Sequence, residues 1–314
     1  MDKDARFSEL FFESLERPLR SGVRLSDYST FKIGGPADYF FEARSEKELK
    51  TAVGLSRREG IPFYVIGGGS NLLFDDRGFR GLILKNAAEG FFAGETPCEV
   101  GVRSGTPLGK LVQFSLDKGL KGVEFLAGIP GTVGGAVFGN AGAFGRSIGD
   151  IVRDALLFDS GGGEVRFPRG SLSFGYRHSS LKATPDVVLG VILALEEGEA
   201  KVLRAEVKEI LEKRRKKQPP WSTACAGSYF KNPVLPDGQK LAAGYLLEQA
   251  GAKGMKVGDA AVYSGHANFL INTGQATAGD VLRLADELKE KVRQKFGIKL
   301  EEEVIFLPES SSRF

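Results

Sequence analysis

The sequence predicts an α+β protein made of two successive bodies. Strand-like and helix-like runs alternate up to about residue 118, and a β-rich stretch continues to about residue 198. A helix stopped by Pro219 and Pro220 then separates this first body from a compact C-terminal part. Glycine is abundant, with 42 residues gathered in short loops, which indicates turns with positive φ or close approaches between the backbone and a ligand.

The first body opens with a β-α-β unit. The strand DYFFEA is followed by a helix that begins at the capping-box pattern Ser45-Glu46-Lys47-Glu48 and ends near Gly60. An apolar strand over residues 61–66 completes the unit. Further strands over 81–84 and 98–102 precede a helix over about 107–118, so this half of the body mixes helices and strands.

The elements that follow are less regular. Between residues 119 and 149 glycine is densest and no periodicity persists, which predicts a long ligand-wrapping loop region. Strands are predicted over 152–159, 164–167 and 187–195. In the C-terminal part, an apolar stripe predicts a helix over 279–296 that ends at Gly297, and the last strand is predicted over 298–307.

Composition and charge exclude several functional classes. The 314 residues suffice for two or three domains, and 43 basic against 40 acidic side chains give a net charge of +3, so no nucleic-acid or membrane partner is expected. No signal peptide and no apolar run of membrane-spanning length occurs, and Cys98 and Cys225 are far apart. We therefore expect a cytoplasmic protein without disulfides or a metal site.

The loop Gly67-Gly68-Gly69-Ser70-Asn71 directly follows a predicted strand. Its bare backbone N–H groups and hydroxyl suit a pyrophosphate, although an ordinary tight turn would have the same composition. Neither the Rossmann fingerprint nor the Walker A motif occurs in the chain. Two further glycine loops, residues 33–37 and 128–145, would let backbone pack along an extended ligand such as a flavin dinucleotide.

Several motifs in register make a family resemblance specific. In chain order they are YSTFKIGGPA, VIGGGSNLLF, FLAGIPGTVGGAVFGNAGAFG, FGYRHS, AGSYFKNP, AGYLLEQAGAKGMKVGDAAV and FGIKLEEEVIFL. Together they resemble the UDP-N-acetylenolpyruvoylglucosamine reductase family from about residue 28 to 307. The stretch between Arg177 and Lys217 is too short for the inserted tyrosine loop of one branch, so the chain resembles the branch without it.

The resemblance implies a fold and its ligands. It implies an FAD-binding domain of the vanillyl-alcohol-oxidase (PCMH) type, with two α/β subdomains, and a C-terminal α/β substrate-binding domain. The corresponding boundaries are a lead over 1–27, the FAD domain over 28–198 and the substrate domain over 199–314. It also implies non-covalent FAD, NADPH as co-substrate and a UDP-sugar nucleotide substrate in peptidoglycan precursor synthesis, and we expect a monomer.

The residues expected to hold FAD lie in the matched glycine loops. They are Gly67, Gly68, Gly69, Ser70, Asn71, Gly128, Ile129, Pro130, Gly131, Gly134, Gly135, Asn140, Ala141 and Gly142.

Reducing an enolpyruvyl double bond requires a hydride at one carbon, a proton at the other and stabilisation of the enolate-like charge. Arg177 has a guanidinium shaped for a carboxylate, although composition alone favours a surface arginine. Ser228 follows a glycine and by itself reads as a turn residue. Periodicity does not choose between Glu302 and Glu303 in the acidic run. The resemblance implies that Arg177 polarises the carboxylate, Ser228 donates the proton and Glu303 stabilises the intermediate.

The matched segments contain five further candidates for substrate contact, which are Tyr176, Lys217, Asn232, His266 and Asn268. Two other functions stay open from the residues alone. One is a flavin-dependent alcohol oxidase or dehydrogenase of the same fold, which a histidine or cysteine in the flavin loops would favour; none occurs in residues 28–85 or 122–149. The other is a nucleotide-binding module in which FAD would be structural.

Overall fold

The computed structural model describes residues 3–236 and 238–310. Its helices are α1 (Lys3–Leu15), α2 (Glu46–Glu59), α3 (Leu108–Lys118), α4 (Val133–Gly139), α5 (Ala200–Lys217), α6 (Ala243–Gln249) and α7 (Ala278–Phe296). No helix among the described residues is long and apolar enough to cross a membrane.

The strands are short and numerous. In chain order they are β1 (Arg20–Arg24), β2 (Pro36–Ala43), β3 (Phe63–Ile66), β4 (Leu72–Phe74), β5 (Phe79–Asn86), β6 (Phe91–Ala93), β7 (Glu99–Arg103), β8 (Leu120–Lys121), β9 (Gly142–Ala143), β10 (Arg146–Ser147), β11 (Val152–Phe158), β12 (Glu164–Pro168), β13 (Val187–Ala194), β14 (Glu196–Glu197), β15 (Ala224–Ser228), β16 (Lys256–Val257), β17 (Ala260–Val262), β18 (Phe269–Asn272) and β19 (Ile305–Leu307).

The first sheet has the order β1-β2-β5-β3, with β2, β5 and β3 parallel. Both of its faces are covered, because Phe41 packs with α1 and α2 while its neighbour Phe40 packs on the opposite side. Helix α2 begins as predicted, with the Ser45 side chain accepting from the Glu48 amide, and Gly60 ends it in the left-handed conformation.

The second sheet is antiparallel, in the order β12-β11-β13-β7-β6. Helices α3, α4 and α5 cover it and share one hydrophobic core with it. Helix α5 contributes Leu203, Val207 and Ile210 to that core, so this helix packs on the first body. The domain boundary at residue 198 stays a prediction.

The third sheet, β15-β18-β17-β16, is antiparallel and packs against α6 and α7. Its core also takes Phe31, Ile33 and Leu73 from the first body. The chain then returns to the first body, where β19 pairs in parallel with β4.

Three expectations are corrected. The segment 119–149 is not one long loop, since it contains α4, which forms despite its glycines because Val133, Ala136 and Val137 are buried. The last strand spans only Ile305–Leu307, not 298–307. The glycine loop at residues 33–37 packs on the chain itself, because a Cβ on Gly35 would lie 2.1 Å from the Asp76 carbonyl oxygen.

Candidate active site

A cavity of about 950 Å³, called the central cavity here, lies where the three sheets meet. Its wall combines the loop after β3, the loop that leads into α4, one side of α5, and the strand β15. A cavity of this size can hold a large part of a dinucleotide.

Two glycine loops face each other across one end of this cavity. A Cβ on Gly67 would lie 2.3 Å from Thr132 Oγ1, and one on Gly68 would lie 3.1 Å from the Gly131 Cα. Ser70 Oγ joins the loops by donating to the Pro130 carbonyl at 2.9 Å. Side chains at these positions would therefore fill the gap between the two loops. With glycine there, backbone N–H groups stay exposed to a ligand.

The residues expected to bind FAD line this cavity, with the exception of Asn140. Asn140 is only 5% exposed and has a different contact: its Nδ2 donates to the Gly175 carbonyl at 2.7 Å, and its Oδ1 accepts from the Gly149 amide. It thus supports the segment that carries Arg177.

Arg177 occupies the second position of a two-residue turn between Gly175 and His178, which exchange backbone hydrogen bonds of 3.0 and 3.1 Å. Its φ is +54°, a left-handed conformation that is unusual for a residue with a side chain. Lys182 Nζ donates to the Arg177 carbonyl at 2.8 Å and helps to hold this turn. The turn directs Arg177 into the cavity wall.

Arg177 Nε donates to Glu303 Oε1 at 2.5 Å, and both side chains are about three-quarters buried. Burial raises the pKa of Glu303 above its ordinary 4.5, against the opposing effect of the Arg177 charge. The pair is therefore a partly desolvated cation and carboxylate, side by side in the cavity wall.

Ser228 ends β15 and also lines the cavity. The register of β15 against β18 shifts between Cys225 and Ser228, and the intervening Gly227 has a φ of +80°. In the described part of the chain the Ser228 hydroxyl makes no hydrogen bond, so it is available to a ligand. The fold thus brings Arg177, Ser228 and Glu303 to one cavity, although they are far apart in sequence.

The five candidates for substrate contact lie outside the cavity wall. Tyr176 and Asn232 are adjacent, since the Asn232 amide donates to the Tyr176 hydroxyl at 3.2 Å. Lys240 Nζ lies 3.1 Å from the centre of the Tyr176 ring. These side chains form a polar rim beside Arg177.

The other three candidates lie on or near the loop before β18. Asn268 is buried and makes two hydrogen bonds with the Phe230 backbone, so its contacts are structural. The Nδ1 of His266 accepts from the Asn268 amide at 3.2 Å, and burial lowers the pKa of His266, with the Lys217 charge contributing. Lys217 itself is exposed at the end of α5.

Sequence reasoning missed Arg214, another cavity residue. Its Nη2 donates to the Phe125 carbonyl at 3.3 Å, its Nε is buried without a hydrogen-bond partner, and no ion pair is found for it among the described residues. Burial, and the charge of Arg177, lower its pKa. The basic run of α5 was the available signal, but nothing in it singles out this residue.

The cavity wall carries more cations than carboxylates. Its acidic side chains are Asp186, Glu212 and Glu303, and its basic ones are Arg177, Lys182, Arg204, Lys208, Arg214 and Arg215. Such an excess favours phosphorylated or otherwise anionic ligands. In the described residues no cluster of histidine, cysteine and acidic side chains suits a metal ion.

Comparisons with known proteins show the family to which this chain belongs. Residues 37–167 match the family model of an FAD binding domain, and residues 218–307 match the C-terminal domain of UDP-N-acetylenolpyruvoylglucosamine reductase. The UDP-N-acetylenolpyruvoylglucosamine reductase of Solibacter usitatus is 41% identical, covering 90% of this chain and 95% of that protein. That of Moorella thermoacetica is 42% identical over 89% and 90%.

A solved structure gives the same result. The crystal structure of the UDP-N-acetylenolpyruvylglucosamine reductase from Thermus caldophilus has 35% sequence identity and a TM-score of 0.76, covering 92% of this chain and all of that one. The predicted α+β class, with an FAD-binding domain of the PCMH type followed by the reductase C-terminal domain, is confirmed.

Proposed function

The chain belongs to the UDP-N-acetylenolpyruvoylglucosamine reductase family and is an FAD-dependent oxidoreductase, and from this premise we propose its reaction. We propose that it is a cytoplasmic enzyme that uses NADPH to reduce UDP-N-acetylglucosamine enolpyruvate to UDP-N-acetylmuramate. The observation that carries the proposal is the convergence of Arg177, Ser228 and Glu303 on one cavity with the glycine loops.

The residues present fit FAD. The facing loops at Gly67 and Gly131 leave a space for a pyrophosphate, and side chains at these positions would fill that space. The basic side chains of the cavity wall suit the negative charge of a pyrophosphate. Held by these loops, FAD would supply the hydride chemistry between NADPH and the double bond of the substrate. Cys225, which lines the cavity, has a pKa raised by burial, and a thiol that stays protonated is a poor nucleophile for covalent attachment.

Arg177 and Glu303 are proposed to manage the charge of the enolpyruvyl group. A guanidinium already desolvated on one side binds the substrate carboxylate and stabilises the negative charge that develops on it. Glu303 holds Arg177 through Nε, which leaves the two terminal nitrogens of the guanidinium for a carboxylate. The two carboxylates would then share one arginine.

Ser228 is proposed to supply the proton. As the hydride reaches one carbon of the double bond, Ser228 Oγ–H protonates the other, and the hydroxyl regains its proton from solvent. This step needs placement more than acidity, and the free hydroxyl at the end of β15 meets that need. The polar rim around Tyr176 and Asn232, together with Lys217 and His266, is proposed to contact the rest of the UDP-sugar, whereas Asn268 supports the Phe230 backbone.

The test is an anaerobic absorbance titration of the purified protein. We expect NADPH to bleach the flavin absorbance, and the enolpyruvyl sugar nucleotide to restore it. An alcohol oxidase would instead be bleached by an alcohol and restored by oxygen, and a binding module with structural FAD would respond to neither. Failure of the sugar nucleotide to restore the colour would refute the proposed reaction.

A further inference from the structure

We infer that Asn71 is a positioning residue for Glu303. Asn71 forms hydrogen bonds that hold the segment carrying this carboxylate against the loop over residues 67–71, the flavin-facing loop of the proposed function. The inference rests on the proposed function of Glu303. It concerns the contact between Asn71 and Glu303. The expected binding of FAD by Asn71 does not require this contact.

Asn71 holds the segment after residue 302 with two hydrogen bonds. Its Nδ2 donates to the Glu303 carbonyl at 3.0 Å, and its own carbonyl accepts from the Ile305 amide at 3.0 Å. The second bond is the start of the parallel pairing between β4 and β19. The side-chain bond is therefore an addition to the sheet, made at the residue whose carboxylate faces Arg177.

The backbone of Glu303 is also held on its amide side. Its amide donates to the Tyr229 carbonyl at 2.7 Å, and Tyr229 directly follows Ser228. Glu303 thus lies between the flavin-facing loop and the strand that ends in Ser228. Residues 300–304 lie outside the named strands and pair with the segment after β15 only through the bridge between Glu302 and Phe230, to which the Glu303 amide and the Lys231 amide contribute their bonds. The Asn71 side chain therefore holds Glu303 from the side opposite to this bridge.

The placement of this backbone decides the placement of the ion pair. Arg177 approaches Glu303 from a separate turn, and the contact runs through a single nitrogen, Nε. A small shift of the Glu303 backbone would therefore lengthen that contact without any compensating bond. The pKa of Glu303, already raised by burial, would rise further once Arg177 opposed it less.

The experiment compares FAD-saturated variants after reduction with dithionite, so that only re-oxidation by the enolpyruvyl sugar nucleotide is observed. For Asn71→Ala we expect re-oxidation to slow by roughly 10- to 100-fold, the range typical of a misplaced catalytic group. The acid limb of its pH profile should also move to higher pH. Asn71→Asp, of the same size but unable to donate to the carbonyl, should behave like Asn71→Ala, whereas Asn71→Gln should recover part of the rate.

Arg77→Ala is the matched control. Arg77 forms an ion pair with Glu309 at 3.0 Å, just beyond the end of β19. Loss of the Arg77 side chain therefore weakens the packing of β19 against β4 without changing any contact of Glu303. It should lower the urea midpoint and leave the acid limb in place. If Asn71→Ala gives the same result as Arg77→Ala, the positioning inference is overturned.

Glu303→Gln separates this inference from the proposed function. Glu303→Gln should abolish the acid limb of the pH profile and slow re-oxidation. If it does so while the acid limb of Asn71→Ala stays at the wild-type pH, the inference alone is refuted. If Glu303→Gln re-oxidises at the wild-type rate with the wild-type pH profile, the function proposed for Glu303 fails, and the inference fails with it.

Discussion

At the scale of single residues, the role proposed for Ser228 divides the catalytic cycle in two. Its hydroxyl lines the cavity, and only the transfer to the substrate needs a proton donated to carbon. Ser228→Ala should therefore bleach normally with NADPH, while re-oxidation by the enolpyruvyl substrate slows by roughly 10²–10⁴-fold or more. Ser228→Cys should retain part of the rate, since a thiol at this place can still donate. Rapid-mixing absorbance measures both halves, and a Ser228→Ala protein that re-oxidises at the wild-type rate would make Ser228 a turn residue only.

Arg177 provides the second test at this scale. Arg177→Lys keeps the charge but loses the planar group that contacts Glu303 with one nitrogen and leaves others for the substrate. We expect turnover of the enolpyruvyl substrate to fall by roughly 10²–10³-fold, as when a donor to a developing oxyanion is removed. FAD content, measured by absorbance, should be unchanged. Unaltered steady-state kinetics would argue against contact between Arg177 and the reacting group.

Glu303 marks the limit of sequence reasoning at the residue scale. The two candidates in the acidic run differ in the structure, because Glu302 bonds Lys289 at 2.6 Å while Glu303 bonds Arg177. Strand alternation could not separate them, since the regular strand begins only at Ile305. The family pattern selected Glu303, which lies beside Arg177, and its catalytic role stays a prediction.

At the scale of elements, strongly periodic helices were predictable and glycine-rich ones were not. Helix α7 lies within one residue of its predicted start and ends at Gly297 as expected. Helix α4 was missed because glycine disfavours helices in isolation. Packing decides there, since a Cβ on Gly134 would lie 2.9 Å from the Ser104 Cβ, a contact that no local sequence pattern reports.

The glycine loop over residues 67–71, which is proposed to bind FAD, yields an element-scale prediction. Gly69 has a φ of +61°, and a Cβ there would lie 1.9 Å from the Tyr28 carbonyl oxygen. Gly69→Ala should therefore lose FAD and about 1–3 kcal/mol of stability, because the backbone must move. Gly54→Ala is the control: no atom lies within 4 Å of its Cβ, and it sits inside α2, so it should be neutral or gain about 0.5–1 kcal/mol. Normal FAD content in Gly69→Ala would contradict this prediction.

Helix α7 provides a second element-scale prediction. Asp76, from the turn after β4, accepts from the Ala278 amide at 2.8 Å and from the Gly279 amide at 3.3 Å. Removing these bonds in Asp76→Ala should cost about 0.5–2 kcal/mol in urea unfolding. Asp76→Asn keeps an acceptor and loses only the charge at the helix N-terminus, so it should cost about 0.3–1 kcal/mol. Thr277 also caps this helix, because its side chain accepts from the Asp280 amide at 3.0 Å. Equal stability of the wild type and Asp76→Ala would show that the Thr277 cap suffices.

At the scale of the whole molecule, the contacts between elements that are distant in the chain could not be predicted from the sequence. The buried face of helix α5 packs in the core of the second sheet, a contact that the periodicity of the helix alone does not report. The chain crosses back between β4 and β19, which are separated by more than two hundred residues. Local periodicity reports which face of an element is apolar, but not which distant element covers it.

The central cavity, where FAD is proposed to bind, lies between parts that are distant in the sequence. The central cavity is walled by the first body, by α5 and by β15, so a ligand that fills it contacts both halves of the chain. A ligand that binds only the folded protein stabilises it by about 2.7 kcal/mol at 100 times its Kd. We therefore expect the Tm of the FAD-free protein to rise progressively with added FAD, in a single transition.

The nature of that stabilisation can be tested with two controls. Riboflavin lacks the pyrophosphate that the facing glycine loops are proposed to hold, so it should raise the Tm much less than FAD. Gly67→Val, whose side chain would meet Thr132 Oγ1, should abolish the response to FAD. Acid precipitation of the loaded protein should release all of the yellow colour, because we expect the bound FAD to be non-covalent. A Tm independent of FAD concentration, or two separate transitions of which FAD moves one, would mean that the cavity ligand does not join the two halves of the chain.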